Sequence, residues 1–392
     1  MRFLHTGDWH VGKALRGRSR ADEHRAVLAE VASVAEAEQV DAVLVAGDLF
    51  DTAAPSAESE QIVYEALLAL ARTGAHVVVV SGNHDNERRL QAVAPLLELG
   101  RVTVAASFRR PDDGGVIDVP SRDGAERARV ALLPFLSQRW VVRADELMAT
   151  AADQQAQAYG ERMRLLIQAL TAGFQADAVN VVIAHLFAMG GVLGGGEREA
   201  QTILDYAVSA TAFPANAQYV ALGHLHRSQV IAGPCPIRYA GSPLQLDFGE
   251  TADRKSVLVA EAHPGRPVEL REHPLTAGRR LRTLEGTLEE VLAQAGSTGD
   301  DYLRVRLREA PRVGLAEAVR EQFADCVDVQ VLRPGPPGAA TAHGSDSAAG
   351  AGVDGHRGEP AALFRQYLAA TRGEVDEALA GLFGELVEEC AP

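Results

Sequence analysis

"DAVLVAGDLFD" (residues 41–51) sets the reading of the chain. Five apolar residues run without the alternation of a half-buried strand, then stop at Gly47 and give way to Asp48 and Asp51. A continuous apolar run of this length, closed by a turn residue, is the signature of a strand buried on both faces. The same layout recurs along the chain. "RFLHTGDWH" (2–10) ends in Asp8 and His10, and "HVVVVSGNHD" (76–85) ends in Asn83, His84 and Asp85. "VNVVIAH" (179–185) ends in His185, and "YVALGHLH" (219–226) ends in His224 and His226. Further strands are expected at 102–106, 129–135 and 256–262. Between the first strands, 21–38 carries Val27, Leu28, Val31, Val34 and Ala35 on one helical face, and 56–72 carries Val63, Leu67 and Leu70. Strands alternating with helices predict a layered α/β fold over residues 1–275.

Ligands bind outside the carboxyl ends of strands in such folds. Singly, each polar residue has an ordinary explanation. Asp8 or Asp48 is a helix cap or turn residue, Asn83 after Gly82 a turn residue, His185 a hydrogen-bonded, half-buried histidine. Five such coincidences at five strand ends argue for one metal-binding rim. Imidazoles and carboxylates without thiolate suit Mn²⁺, Fe²⁺ or Zn²⁺ better than a purely oxygen-seeking Mg²⁺ or Ca²⁺. Seven donors exceed one tetrahedral site and suit two ions ~3.5–4 Å apart that share a carboxylate.

Composition bounds the rest. The chain has 392 residues and a formal net charge of −15, which excludes a basic nucleic-acid coat protein but leaves room for a local basic patch. Of 38 basic residues only Lys13 and Lys255 are lysines, so arginine alone is no sign of phosphate recognition. Cys235, Cys326 and Cys390 are scattered and odd in number, which fits a reducing cytosol rather than a disulfide framework. No apolar run is long enough for a membrane span, and no signal-peptide layout opens the chain. No GxxxxGK[ST] loop is present, so any ATP dependence has to come from a partner.

Beyond 275 the pattern shortens. Residues 276–333 read as a small α+β unit: "RLRTLEG", a helix near 287–295, "YLRVRLR", a helix near 314–324, and "CVDVQVL". Residues 334–360 hold one large apolar residue, Val353, and read as a flexible linker. Periodicity returns over 361–390 as an amphipathic helical hairpin. Leu363, Phe364, Tyr367 and Leu368 form one face, and Val375, Leu379, Leu382, Phe383, Leu386 and Val387 the other. Such a hairpin cannot make a core of its own, so it either packs back on the body or docks on a partner, the latter being the expectation.

"GDWH", "GDLFD", "GNHD", "AH" and "GHLH", in this order, are the motif set of the calcineurin-like metallophosphoesterases, a β-sandwich flanked by helices. "HTGDWHVGK", "AGDLFDTAAPS", "SGNHDN", "GHLHRSQ" and "YAGSPLQLDFGE" resemble, more narrowly, the SbcD family of bacterial nuclease subunits, over essentially the whole chain. The resemblance implies that Asp8, His10 and His226 hold one metal, that Asn83, His185 and His224 hold the other, and that Asp48 bridges them. His84 then faces the scissile phosphate and protonates the leaving oxygen, oriented by Asp51. It further implies two divalent ions, Mn²⁺ above Fe²⁺, Zn²⁺ or Mg²⁺. It implies DNA as substrate, cut as an exonuclease on duplex ends and an endonuclease on single strands or hairpins.

The implied partner is a coiled-coil ATPase of the SbcC type in a heterotetramer, with residues 276–333 as a DNA-facing cap and 361–390 as the docking hairpin. The implied homodimer uses helices near 56–72 and 86–99, with Leu90, Val93, Leu96 and Leu97. The place of action is the cytoplasm, at the nucleoid. Lys13, Arg16, Arg18 and Arg20 after "GDWH", Arg88 and Arg89 after "GNHD", and Arg227 after "GHLH" are the candidates for backbone-phosphate contacts, the plainer reading being solvated side chains in an arginine-biased sequence. A stand-alone phosphoesterase for nucleotides or phosphoproteins is the second reading. A scaffold without activity is the third, and the complete set of ligand positions argues against it.

Overall fold

The computed structural model describes residues 1–137, 152–197 and 206–332. The expected linker and the hairpin bearing Leu363, Phe364, Tyr367, Leu368, Leu379, Leu382, Phe383 and Leu386 lie outside the described residues. One sheet contains β1 (Arg2–Thr6), β2 (Ala42–Val45), β3 (His76–Val80) and β4 (Val102–Ala105), all parallel. It is extended antiparallel beyond β1 by β13 (Ser256–Glu261) and β14 (Glu269–Pro274). The second sheet runs in the order β11-β12-β10-β7-β6-β5. Its strands are β5 (Val116–Pro120), β6 (Arg127–Leu133), β7 (Val179–His185), β10 (Tyr219–Gly223), β11 (Gln229–Ile231) and β12 (Ile237–Tyr239). A two-stranded ribbon, β8 (Phe187–Ala188) with β9 (Ala207–Val208), lies apart from both.

The two sheets pack face to face, and each outer face carries helices. Strand alternation explains the continuous apolar runs. In β2, Ala42 and Leu44 point between the sheets with Val78, Val80, Leu132, Val181 and Ile183. Val43 and Val45 point the other way, into a core shared with α1 (Ala21–Ala37), α2 (Ala57–Arg72) and α3 (Glu87–Glu98). Behind the second sheet, Val182 and Ala184 meet Tyr159, Met163, Ile167 and Leu170 of α4 (Ala152–Thr171). This is the layered β-sandwich flanked by helices. No helix among the described residues is long and apolar enough to cross a membrane.

The helix starts follow from local chemistry. Ser56 caps α2 by accepting from the Ser59 amide, and Asn86 caps α3 by accepting from the Arg88 and Arg89 amides. On α3, Leu90 and Leu97 are core residues, so only part of the expected dimer face is available. Leu96 and Leu99 are 70% and 86% exposed.

The small unit comprises β15 (Leu281–Gly286), α5 (Leu288–Leu292), β16 (Tyr302–Leu307), α6 (Leu315–Gln322) and β17 (Cys326–Val331). Its three strands are all parallel, and both helical crossovers share one core with Leu303, Val305 and Phe323. It is joined to the main body by Leu15, Phe248, Leu281 and Tyr302, and by charge. Arg16 pairs with Asp328 (3.3 Å) and Arg18 with Asp325 (3.2 Å), while Arg279 stacks over Tyr302 at 3.9 Å.

Arg20 is buried, paired with both Glu23 oxygens (2.8 Å each) and with the Gln245 carbonyl. Its expected phosphate contact is therefore corrected. Removing one member of a buried pair strands the other charge, so Arg20→Ala should lower unfolding free energy by about 3 kcal/mol. Arg20→Met combined with Glu23→Leu should lower it less, and denaturant melts of both variants measure the difference.

Candidate metal centre

Five strand ends of two sheets deliver their polar residues to one rim. β1, β2 and β3 are parallel neighbours in one sheet, and β7 and β10 are parallel neighbours in the other. The β1 and β2 loops continue to pair past the strands, with the Asp8 amide on the Gly47 carbonyl (2.9 Å) and the His10 amide on the Asp48 carbonyl (3.0 Å). Asp8, His10, Asp48 and His224 all have positive φ (50°, 47°, 52° and 112°). Non-glycine residues in this region store strain, and such strain clusters at functional sites. Gly82 has no alternative here, because a Cβ on it would run into the Asp48 carboxylate and amide.

The donors form two groups. His185 Nε2 and His224 Nδ1 each lie 2.9 Å from Asn83 Oδ1 and 3.3 Å from one another. On the other side, His226 Nε2 lies 3.1 Å from His10 Nε2. His185 donates Nδ1–H to the Ala46 carbonyl (2.8 Å), and the His226 Nδ1 faces the Glu250 carboxylate (2.9 Å). Their Nε2 lone pairs therefore point at other acceptors, an arrangement that suits a cation. Asp48 stands between the groups: Oδ2 is 3.5 Å from His10 Nε2 and 3.5 Å from His185 Nε2. Its Oδ1 accepts from the His84 amide (2.8 Å). The Asp8 carboxylate accepts from the His224 amide (2.8 and 3.1 Å). Leu225, between the two histidines, is fully buried.

The electrostatics match. Burial lowers His10 to about 4, aided by His226 and His84 and opposed by Asp51 and Asp48, so its imidazole is neutral and can ligate. Burial opposes the charge on Asp48, yet His185, His10 and His84 carry its pKa below the usual range. Burial, with Asp48 adding to it and His226 opposing, pushes Asp8 well above its ordinary value. Burial and the nearby Asp48 raise Asp85 to about 7, although the Gly82, Phe50 and Leu49 amides donate to it. Imidazole nitrogens, an amide oxygen and carboxylates converging at these distances are the donor chemistry that a divalent ion takes, so the residues fit such a group.

A ring nitrogen of His84 lies within 4.8 Å of ligand atoms of His10 and Asp48. Its Nδ1–H donates to the main-chain carbonyl of Asp51 (2.7 Å). The expected carboxylate contact from Asp51 is thus replaced by a carbonyl contact. The Asp51 side chain instead lies 3.5 Å from His10 Nδ1 and 3.5 Å from Lys13 Nζ. The remaining basic candidates are engaged with acids: Arg89 with Glu60 (3.3 Å) and Arg227 with Asp253 (3.0 Å). Among the described residues, Arg88 is the one of the seven in no ion pair.

Sequence reasoning missed the wall behind His224. Phe135 lies nearly parallel to it (6.4 Å, 18°) and edge-on to His185 (6.2 Å, 82°), with Tyr206 stacked beyond (6.2 Å, 23°). It also missed Glu197, whose carboxylate gathers the amides of Gly194, Gly195, Gly196 and His226. Glu250 and Lys255 were missed as well, although Glu250 closes the quoted "YAGSPLQLDFGE".

A sequence model described as calcineurin-like phosphoesterase matches residues 1–128. SbcD of Bacillus subtilis (strain 168), a component of the nuclease SbcCD, is 37% identical over 329 residues, covering 82% of each chain. The chain belongs to the SbcD family. The Escherichia coli (strain K12) SbcD is 31% identical over 310 residues, covering 75% of this chain and 73% of that one. The Rhodobacter capsulatus SbcD is 41% identical over 262 residues, 64% of each. An SbcD-type chain carrying a calcineurin-like phosphoesterase domain is a metal-dependent hydrolase.

Proposed function

We propose that this chain is a DNA nuclease subunit that hydrolyses phosphodiesters at a two-metal centre. The observation that carries the reading is Asp48 Oδ2, placed 3.5 Å from a nitrogen of each donor group. Asp8, His10 and His226 would hold one ion, Asn83, His185 and His224 the other, with Asp48 shared. Bound there, two divalent ions, Mn²⁺ foremost, supply charge neutralisation for the phosphodiester and a water acidic enough to attack near neutral pH. His84, its Nδ1–H held by the Asp51 carbonyl, would act as the imidazolium, giving its Nε2 proton to the leaving oxygen and returning to the neutral ring. Phe135, Phe187 and Tyr206 keep the His224 side of the site apolar.

The relatives are named as parts of a nuclease called SbcCD, and this chain is assigned the same arrangement with a coiled-coil ATPase of the SbcC type. Residues 361–390 dock on that partner, residues 276–333 cap the DNA, and exposed Leu96 of α3 and Leu99 just beyond it contribute to a homodimer. Lys13 and Arg88 are the basic side chains best placed for phosphates.

The test is Mn²⁺-dependent cleavage of a hairpin-ended duplex, with and without the ATPase and ATP. Cleavage is expected, and its absence under both conditions overturns the nuclease reading. Deleting 361–390 should abolish the ATP-dependent cleavage and spare hydrolysis of bis(p-nitrophenyl) phosphate. Equal loss of both would remove the docking role.

A further inference from the structure

His185 and His226 occupy matching places in the two halves of the centre, yet they are backed differently. His185 rests on a neutral acceptor, the Ala46 carbonyl (2.8 Å). His226 rests on Glu250 Oε1 (2.9 Å), and both side chains are buried. Glu250 Oε2 is held in turn by Lys255 Nζ (2.7 Å) and the Leu246 amide (3.0 Å), with Ser242 Oγ at 3.4 Å. Lys255 also donates to the His226 carbonyl (2.9 Å) and to Ser242 Oγ (2.9 Å). The contacts close a ring: His226 imidazole, Glu250, Lys255, His226 carbonyl. The 194–196 loop lies over it, since a Cβ on Gly196 would press on Glu250 Oε1 and His226 Nδ1.

Burying a carboxylate and an ammonium together costs several kcal/mol, which good geometry only repays. Orienting the imidazole does not require that cost, because at His185 a main-chain carbonyl suffices. What a carboxylate adds is electronic. A negative acceptor on Nδ1–H fixes the tautomer and strengthens Nε2 as a donor. At His185 the nearest carboxylate to Nδ1, Asp8 Oδ1, stands 3.9 Å away, beyond hydrogen-bond reach, and the Ala46 carbonyl takes the proton instead.

We propose that Glu250, clamped by Lys255, is a positioning residue that commits His226 Nε2 to the His10 half of the centre and makes that half the tighter of two unequal metal subsites. The inference rests on the two-metal reading above and deepens it: the halves fill in order, the His10–His226 half first.

The test is a Mn²⁺ titration of the full chain, followed by calorimetry and by the electron paramagnetic resonance of free Mn²⁺. The unaltered chain should take up two ions in two distinguishable steps. Glu250→Gln keeps the shape and the acceptor but loses the charge. It should weaken the tighter step about 10- to 100-fold and leave the looser step unchanged. If Lys255, left without its partner, unfolds that variant, Glu250→Gln with Lys255→Met removes both buried charges and should show the same selective loss. A weakening shared equally by both steps, or by neither, overturns the role of Glu250. Uptake of a single ion by the unaltered chain overturns the two-metal reading itself, and this inference with it.

Discussion

Replacing His84 by alanine should leave both metal subsites loaded and lower turnover about a hundred- to ten-thousandfold, the usual contribution of a positioned general acid. His84 acts separately through its main chain and through its ring. The His84 amide donates to Asp48 Oδ1 (2.8 Å), and alanine keeps that contact, so the shared carboxylate stays pinned. The ring donates Nδ1–H to the Asp51 carbonyl, so the proton for the leaving oxygen is assigned to Nε2. That nitrogen has a rival use, because the ring approaches His10 and Asp48 closely enough to serve as a ligand. Metal content by plasma mass spectrometry, measured beside cleavage, decides between them. Loss of activity at full metal content supports the proton donor; loss of metal together with activity makes His84 a ligand.

How much of this was legible beforehand depends on the range over which each interaction acts. The two-faced burial of β2, β3 and β7 wrote itself into unbroken Val, Leu and Ile runs, and the polar residues that follow those runs do converge on one rim. Edge strands carry no such record. β14, "ELREHP", is largely exposed and paired on one side, and the other edge strands, β5 and β11, are short or only partly apolar. Partners far apart in the chain were also invisible. Arg16 and Arg18 look like a basic loop beside the ligands, but Asp328 and Asp325, some three hundred residues later, occupy them. Asp51 differs for a subtler reason: the family resemblance placed the residue beside His84 but could not say whether its carboxylate or its carbonyl would make the contact. Glu250 lay within a quoted motif, yet nothing local distinguishes a buried partner of His226 from a surface acid.

Asp48→Asn should remove both ions together, in contrast to changes at His185 or Glu250, which act on one half. The substitution isolates charge from shape. Asparagine is isosteric, and it tolerates the left-handed backbone that Asp48 adopts (φ 52°), so strain does not confound the result. What changes is Oδ2, 3.5 Å from both His10 Nε2 and His185 Nε2. An amide there offers either a neutral oxygen or an NH₂ group whose protons face two cations. Each half loses its shared anion. The half built on Asn83, His185 and His224 keeps only neutral ligands, and the half built on His10 and His226 keeps Asp8 as its one carboxylate. Charge neutralisation by metal is worth several kcal/mol in the transition state, so turnover should fall on the order of a thousandfold or more. The measurement is Mn²⁺ stoichiometry beside the hydrolysis rate. One ion still bound with undiminished affinity would assign Asp48 to the opposite half alone, and the centre would then be two adjacent sites rather than one bridged pair.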